Sequence, residues 1–79
     1  MKLFLVFYED QLPEEFDSFT EITVNPTKDF YDKACVFSTY NRRWYRINGV
    51  SIPTKDVPRD FLLRAILLTK FNQGDNHEL

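Results

Sequence analysis

The residues best fitted to contact another molecule cluster in one stretch, Tyr40-Asn41-Arg42-Arg43-Trp44-Tyr45-Arg46. Along a strand, Arg42, Trp44 and Arg46 share one face, with Tyr40 on the same parity. Arg43, Tyr45 and Ile47 share the other. A Trp between arginines suits two kinds of partner. Aromatic planes stack on the bases of a single-stranded nucleic acid while guanidinium groups meet its phosphates. Trp, Tyr and Arg also dominate the hot spots of protein interfaces. Trp44 suits a core position equally well, with the arginine stems lying around its edge.

The last apolar run supplies a second candidate surface. At helical spacing Phe61, Leu62, Ala65, Ile66 and Leu68 form a broad apolar face. Leu63, Leu67 and Phe71 recur every fourth residue on a different side, among Arg59, Asp60, Arg64 and Lys70. A helix apolar nearly all round needs cover on two sides. A second copy of the chain or a client protein could cover the Leu63/Leu67/Phe71 stripe. So could the segments 11–19 and 25–33, which carry Phe16, Phe19, Phe30 and Tyr31.

Catalysis finds little footing. The one histidine, His77, and the one cysteine, Cys35, make no metal-ligand spacing. Two glycines cannot build a phosphate-cradling loop. Cys35 sits in Ala34-Cys35-Val36-Phe37, a setting for a small buried side chain rather than a reactive thiol. The expectation is a non-enzymatic protein with no catalytic, metal-binding or cofactor-binding residue and no cofactor.

The elements that must position these residues are short. Leu3 to Tyr8 is a continuous apolar run of strand length, which predicts a strand buried on both faces. Residues 11–19 predict a short helix or turn, because Pro13 suits a first helical position and acids follow it. Thr20-Glu21-Ile22-Thr23-Val24 is β-branched and alternating, so it reads as a strand. Asn25-Pro26 breaks it, and Thr27 to Lys33 allows one or two helical turns. Ala34 to Tyr40, Arg43 to Ile47 and Val50 to Ile52 read as a three-stranded meander. Asn48-Gly49 marks a two-residue type I′ hairpin turn within it. Asp56, Pro58 and Asp60 announce a helix from Arg59 to about Phe71, stopped by Asn72-Gln73-Gly74. The fold expected is α+β: a small antiparallel or mixed sheet of about five strands, with one long C-terminal helix packed on one face. One domain, 1–72, and a flexible tail, 73–79, account for the 79 residues.

Charge is divided along the chain. Residues 1–33 hold eight acids and three lysines, whereas residues 34–71 hold seven bases and two acids. The two halves either offset one another inside the fold or form opposed surface patches. The net charge of −2 weighs against nucleic acid, whose binding is driven by basic surface. A single cysteine excludes an intramolecular disulfide and fits a reducing compartment. The apolar run after Met1 is too short for a signal-peptide core or a membrane span. The expected location is the cytoplasm, with no membrane partner.

In size and composition the chain resembles the small early proteins of T4-like bacteriophages, being cysteine-poor and rich in Phe, Tyr, Asp, Asn and Lys. The resemblance implies a non-enzymatic protein that binds and redirects a host factor. The sequence reading is therefore a small protein-binding modulator, an inhibitor or adaptor of a host factor, with a homodimer compatible. Its contact residues would be Tyr40, Arg42, Trp44 and Arg46 on the hairpin and Leu63, Leu67 and Phe71 on the helix. The alternative is a single-stranded RNA- or DNA-binding protein using the same hairpin.

Overall fold

The computed structural model describes residues 2–24 and 33–77, with side chains described up to residue 70. Its centre is β1, Phe4–Phe7, where every position is apolar. Alternate residues of a strand point to opposite faces, so such a strand must be covered on both. Leu5 and Phe7 enter one cluster and Val6 the other, together with neighbouring Tyr8.

Four more strands extend the sheet: β2 (Glu14–Phe16), β3 (Cys35–Ser38), β4 (Arg43–Tyr45) and β5 (Ser51–Ile52). The order is β2-β1-β3-β4-β5, and every neighbouring pair is antiparallel. Together with the helix α2, Arg59–His77, this is the α+β arrangement expected from the sequence. The register runs one apolar row across the sheet: Leu5 pairs with Phe37, Phe37 with Trp44, and Trp44 with Ile52. Phe61 and Ala65 of α2, with Val57 before it, lie on that row. The rings of Phe7 and Phe37 stand 5.5 and 4.9 Å from that of Trp44. On the other face Val6, Tyr8, Ala34 and Val36 pack with Ile22 of the short helix α1, Phe19–Thr23.

Two segments depart from their local propensity. Residues 11–19 were expected to be helix or turn, but Glu14–Phe16 is the edge strand β2, paired with Val6, Leu5 and Phe4. Pro13 lacks an N–H and sits just ahead of the strand, where no ladder donor is lost. The β-branched run Thr20 to Val24 was expected to be a strand, but it falls within and just after α1. Ser18 caps that helix: its Oγ accepts the Glu21 amide at 3.4 Å, while Glu21 Oε2 accepts the Asp17 amide at 3.0 Å. Ser-x-x-Glu is the capping-box pattern, here with the glutamate reaching the amide just ahead of the cap. Holding the helix start in this way outweighs a few tenths of a kcal/mol of β propensity per residue. The expected helical turns at 27–33 lie mostly outside the described residues.

The hairpin at Asn48-Gly49 is present, with a different turn. Arg46 N–H donates to Val50 O at 2.7 Å and Gly49 N–H to Arg46 O at 2.9 Å. Gly49 alone in this loop has positive φ, +93°. This is a three-residue loop closed by a left-handed glycine, not the two-residue type I′ form. Asp56 ends a 3-10 turn, Thr54–Asp56, rather than capping α2, whose first turn bonds back to Pro58 O. The helix also runs past Asn72-Gln73-Gly74, where the sequence suggested a stop. Glu78 and Leu79 of the expected tail lie outside the described residues.

Trp44→Ala removes the largest ring of the row beneath α2. The expected loss is about 3–5 kcal/mol, a large share of a small domain's stability, read as a drop in the urea midpoint.

Candidate functional site

The register that builds the core also decides which candidate residues reach the surface. Trp44 is 4 % exposed and packed between Phe7 and Phe37. The reading of Trp44 as an exposed contact residue is therefore corrected. Arg43 beside it in β4 and Arg46 just past the strand are exposed, as is Arg42 in the preceding turn. None of these three arginines has an ion-pair partner among the described residues. Tyr40 is 83 % exposed at the same turn. Leu63 and Leu67 lie on the outer side of α2, far round from Trp44, so the hairpin and helix candidates form two separate surfaces. The side chain of Phe71 lies outside the described residues.

What the sequence did not disclose is a cleft of about 490 Å³ on the α1 side of the sheet. Leu3, Phe4 at the start of β1, Phe19 of α1 and Tyr45 of β4 supply its apolar walls. Phe19 meets Phe4 edge-on at 5.5 Å and Tyr45 edge-on at 5.8 Å. Gly49 forms part of the far wall, where an added Cβ would lie 3.9 Å from the Phe19 ring. Tyr40, Asn41 and Ser38 complete the rim.

Short-range polar bonds hold this rim. Thr39 N–H and Thr39 Oγ1 both donate to Leu3 O, at 2.8 and 3.0 Å, tying the β3–β4 turn to the start of β1. Asn41 Nδ2 donates to Tyr45 Oη at 3.0 Å, and Asn41 Oδ1 accepts the Arg43 amide at 3.1 Å. Asn41 thus fixes both the turn and the tilt of the Tyr45 ring. Arg42 closes the turn with φ of +58°, its N–H donating to Ser38 O at 2.8 Å. Arg43 is exposed, pairs with Ser38 of the cleft lining and has the same strand parity as Tyr45. The site is an apolar hollow with a tyrosine and an amide at one lip, followed in sequence by the exposed Arg42 and Arg43. That makes it a place for an apolar group carrying negative charge nearby.

The signal for the cleft was the second parity of β4. Tyr45 and Arg43, rather than Trp44, face outward on the less covered side. Ser18-Phe19-Thr20-Glu21, read as a capping box, would have placed Phe19 beside them.

The charge division survives folding as opposed surfaces. Glu14 and Glu15 stand on the β2 edge and Arg43 and Arg46 toward the other end of the sheet. Lys2 with Asp17 and Lys33 with Glu9 pair within the acidic half, both exposed. From the basic half, Arg64 reaches across to donate to Tyr8 O at 3.3 Å.

Among the described residues no group of three or more His, Cys, Asp or Glu side chains could hold a metal ion. No described helix is long and apolar enough to cross a membrane. No protein-family model, curated protein or solved structure matches the chain.

Cys35 is fully buried, and burial pushes its thiol above the usual range, partly opposed by the Arg46 charge. The unfolded chain therefore ionises this thiol first. The associated stability is held below the unfolded value and declines as pH rises toward the folded one. At about pH 8 alkylation of Cys35 is expected to be on the order of a hundredfold slower in the folded protein than in denaturing urea. Labelling followed by mass spectrometry reads the two rates; equal rates would contradict the burial.

Proposed function

We propose that this chain is a small non-enzymatic protein-binding module whose aromatic cleft seats an apolar anchor from an acidic segment of a partner. The observation that carries the reading is the cleft, about 490 Å³ with Phe4, Phe19 and Tyr45 in its walls. Its size falls within the roughly 300–1,000 Å³ of ligand-binding pockets, and its lining is of the same apolar and aromatic kind. Tyr40 supports the reading from the rim. It is exposed, so its ring contributes little to the core and is free to add contact area. Arg42 and Arg43 beside it favour carboxylates in the approaching segment, which raises the rate of encounter more than the final affinity. In the setting that the phage resemblance implies, the partner is a host protein and docking blocks or redirects it.

The exposed arginines support the nucleic-acid reading as well. That reading is the weaker one because Trp44, its stacking plate, is enclosed in the core. Salt separates the two. Nucleic-acid binding weakens steeply with salt through counterion release, whereas an apolar anchor keeps most of its affinity.

The experiment is selection of binders from a random peptide library, followed by affinity measurement at low and high salt. Selected peptides are expected to share an aromatic or branched apolar residue flanked by Asp or Glu. Tyr40→Ala is expected to weaken them by about tenfold or more, at unchanged urea midpoint. Peptides without an apolar anchor, or full affinity for Tyr40→Ala, would sink the cleft as the docking surface.

A further inference from the structure

The outer side of α2 carries a feature that the cleft does not use. Leu63, Ile66 and Leu67 are 52, 57 and 68 % exposed. They lie opposite Phe61, Ala65 and Thr69, which face the sheet and are buried. Ile66, expected on the core face from its spacing, thus belongs with the outer stripe. Spacing of three and four residues makes these side chains one continuous apolar seam.

The two ends of the seam carry opposite charges. Asp60 stands one turn before Leu63, and Lys70 one turn after Ile66 and Leu67; both are exposed. Ten residues of helix separate them by about 15 Å. The pair is too distant to meet within one chain, and the spacing is symmetric about the Leu63–Leu67 midpoint.

We propose that the seam is covered by a second copy of this chain, its α2 running antiparallel, with Leu63 of each copy against Leu67 of the other. In that register Asp60 of each copy comes opposite Lys70 of the other, so both ends of the seam gain an attractive pair. A parallel arrangement would set Asp60 against Asp60 and Lys70 against Lys70, which is repulsive at both ends. The antiparallel pairing has twofold symmetry, so the same patch serves both copies and the assembly closes as a dimer. Asp60 keeps its bond to Arg64, 2.7 Å away on the same helix, and that guanidinium also donates to Tyr8 O at 3.3 Å. The cleft lies on the other side of the sheet from α2, so both clefts of the dimer stay open.

The test is sedimentation of the full chain from about 10 μM to 1 mM, a range that spans weak helix-pair affinities. The mass is expected to rise from one copy toward two. Leu67→Asp is expected to hold the protein at one copy with an unchanged circular dichroism spectrum, since the position is exposed. Asp60→Lys and Lys70→Asp are each expected to weaken association, and the double exchange to restore it. Zero-length carbodiimide cross-linking then gives the register, because an Asp60–Lys70 bond found in the two-copy band can form only between chains. A single copy at every concentration would overturn the proposal. So would association indifferent to Leu67→Asp, or a cross-linked dimer without the Asp60–Lys70 bond.

Discussion

The structure depends on one constraint: a sheet whose central strand is apolar on both faces must be covered twice by a very short chain. Leu5 and Phe7 on one side and Val6 and Tyr8 on the other leave β1 no face to give to water. A domain of this size buries only about 60 % of the surface its unfolded chain exposes, so the two covers cannot both be generous. The long cover, α2, goes to the face that holds Trp44. The row Leu5-Phe37-Trp44-Ile52 with Phe7 gives it the most area to bury, at roughly 25 cal/mol per Å².

The other face receives the five-residue α1. Among the described residues, Ile22 and Phe19 of α1 pack on that face, and the corner between Leu3, Phe19 and Tyr45 forms the cleft. The cleft is therefore a consequence of where the covering chain is spent. The outer seam of α2 has the same origin. No described element packs on the far side of α2, and Leu63, Ile66 and Leu67 there are exposed.

The sequence made the architecture legible where one signal dominated. The unbroken apolar run at Leu3 to Tyr8 announced a doubly buried strand. Asn48-Gly49 announced a hairpin, and Pro58 with Asp60 announced the final helix. It misled where two local signals competed. Thr20 to Val24 has the β-branched pattern of a strand, yet Ser18 and Glu21 form a helix cap. Glu14–Phe16 has helix-start acids behind Pro13, yet pairing with β1 claims its backbone groups. Both errors hid the cleft, because α1 carries Phe19 into it. Trp44 shows a further limit. Strand parity correctly set Tyr45 on the face opposite Trp44. Tyr40 and Arg42, however, stand in the turn before β4, outside the alternation, and Tyr40 borders the cleft on the Tyr45 side. The assignment of each face also depends on which one α2 covers. That choice is made by the whole sheet. Tyr40 reached the surface as the sequence suggested, for the plain reason that it stands at a turn.

The face of the sheet that carries α1 and the cleft is the proposed docking face. Chemical-shift mapping on ¹⁵N-labelled protein, titrated with the tightest library-selected peptide, tests it most directly. Docking in the cleft shifts Leu3, Phe4, Phe19, Asn41, Tyr45 and Gly49 most, with the α2 amides unmoved. Shifts concentrated on α2 or along the acidic β2 edge, with the cleft silent, would contradict it.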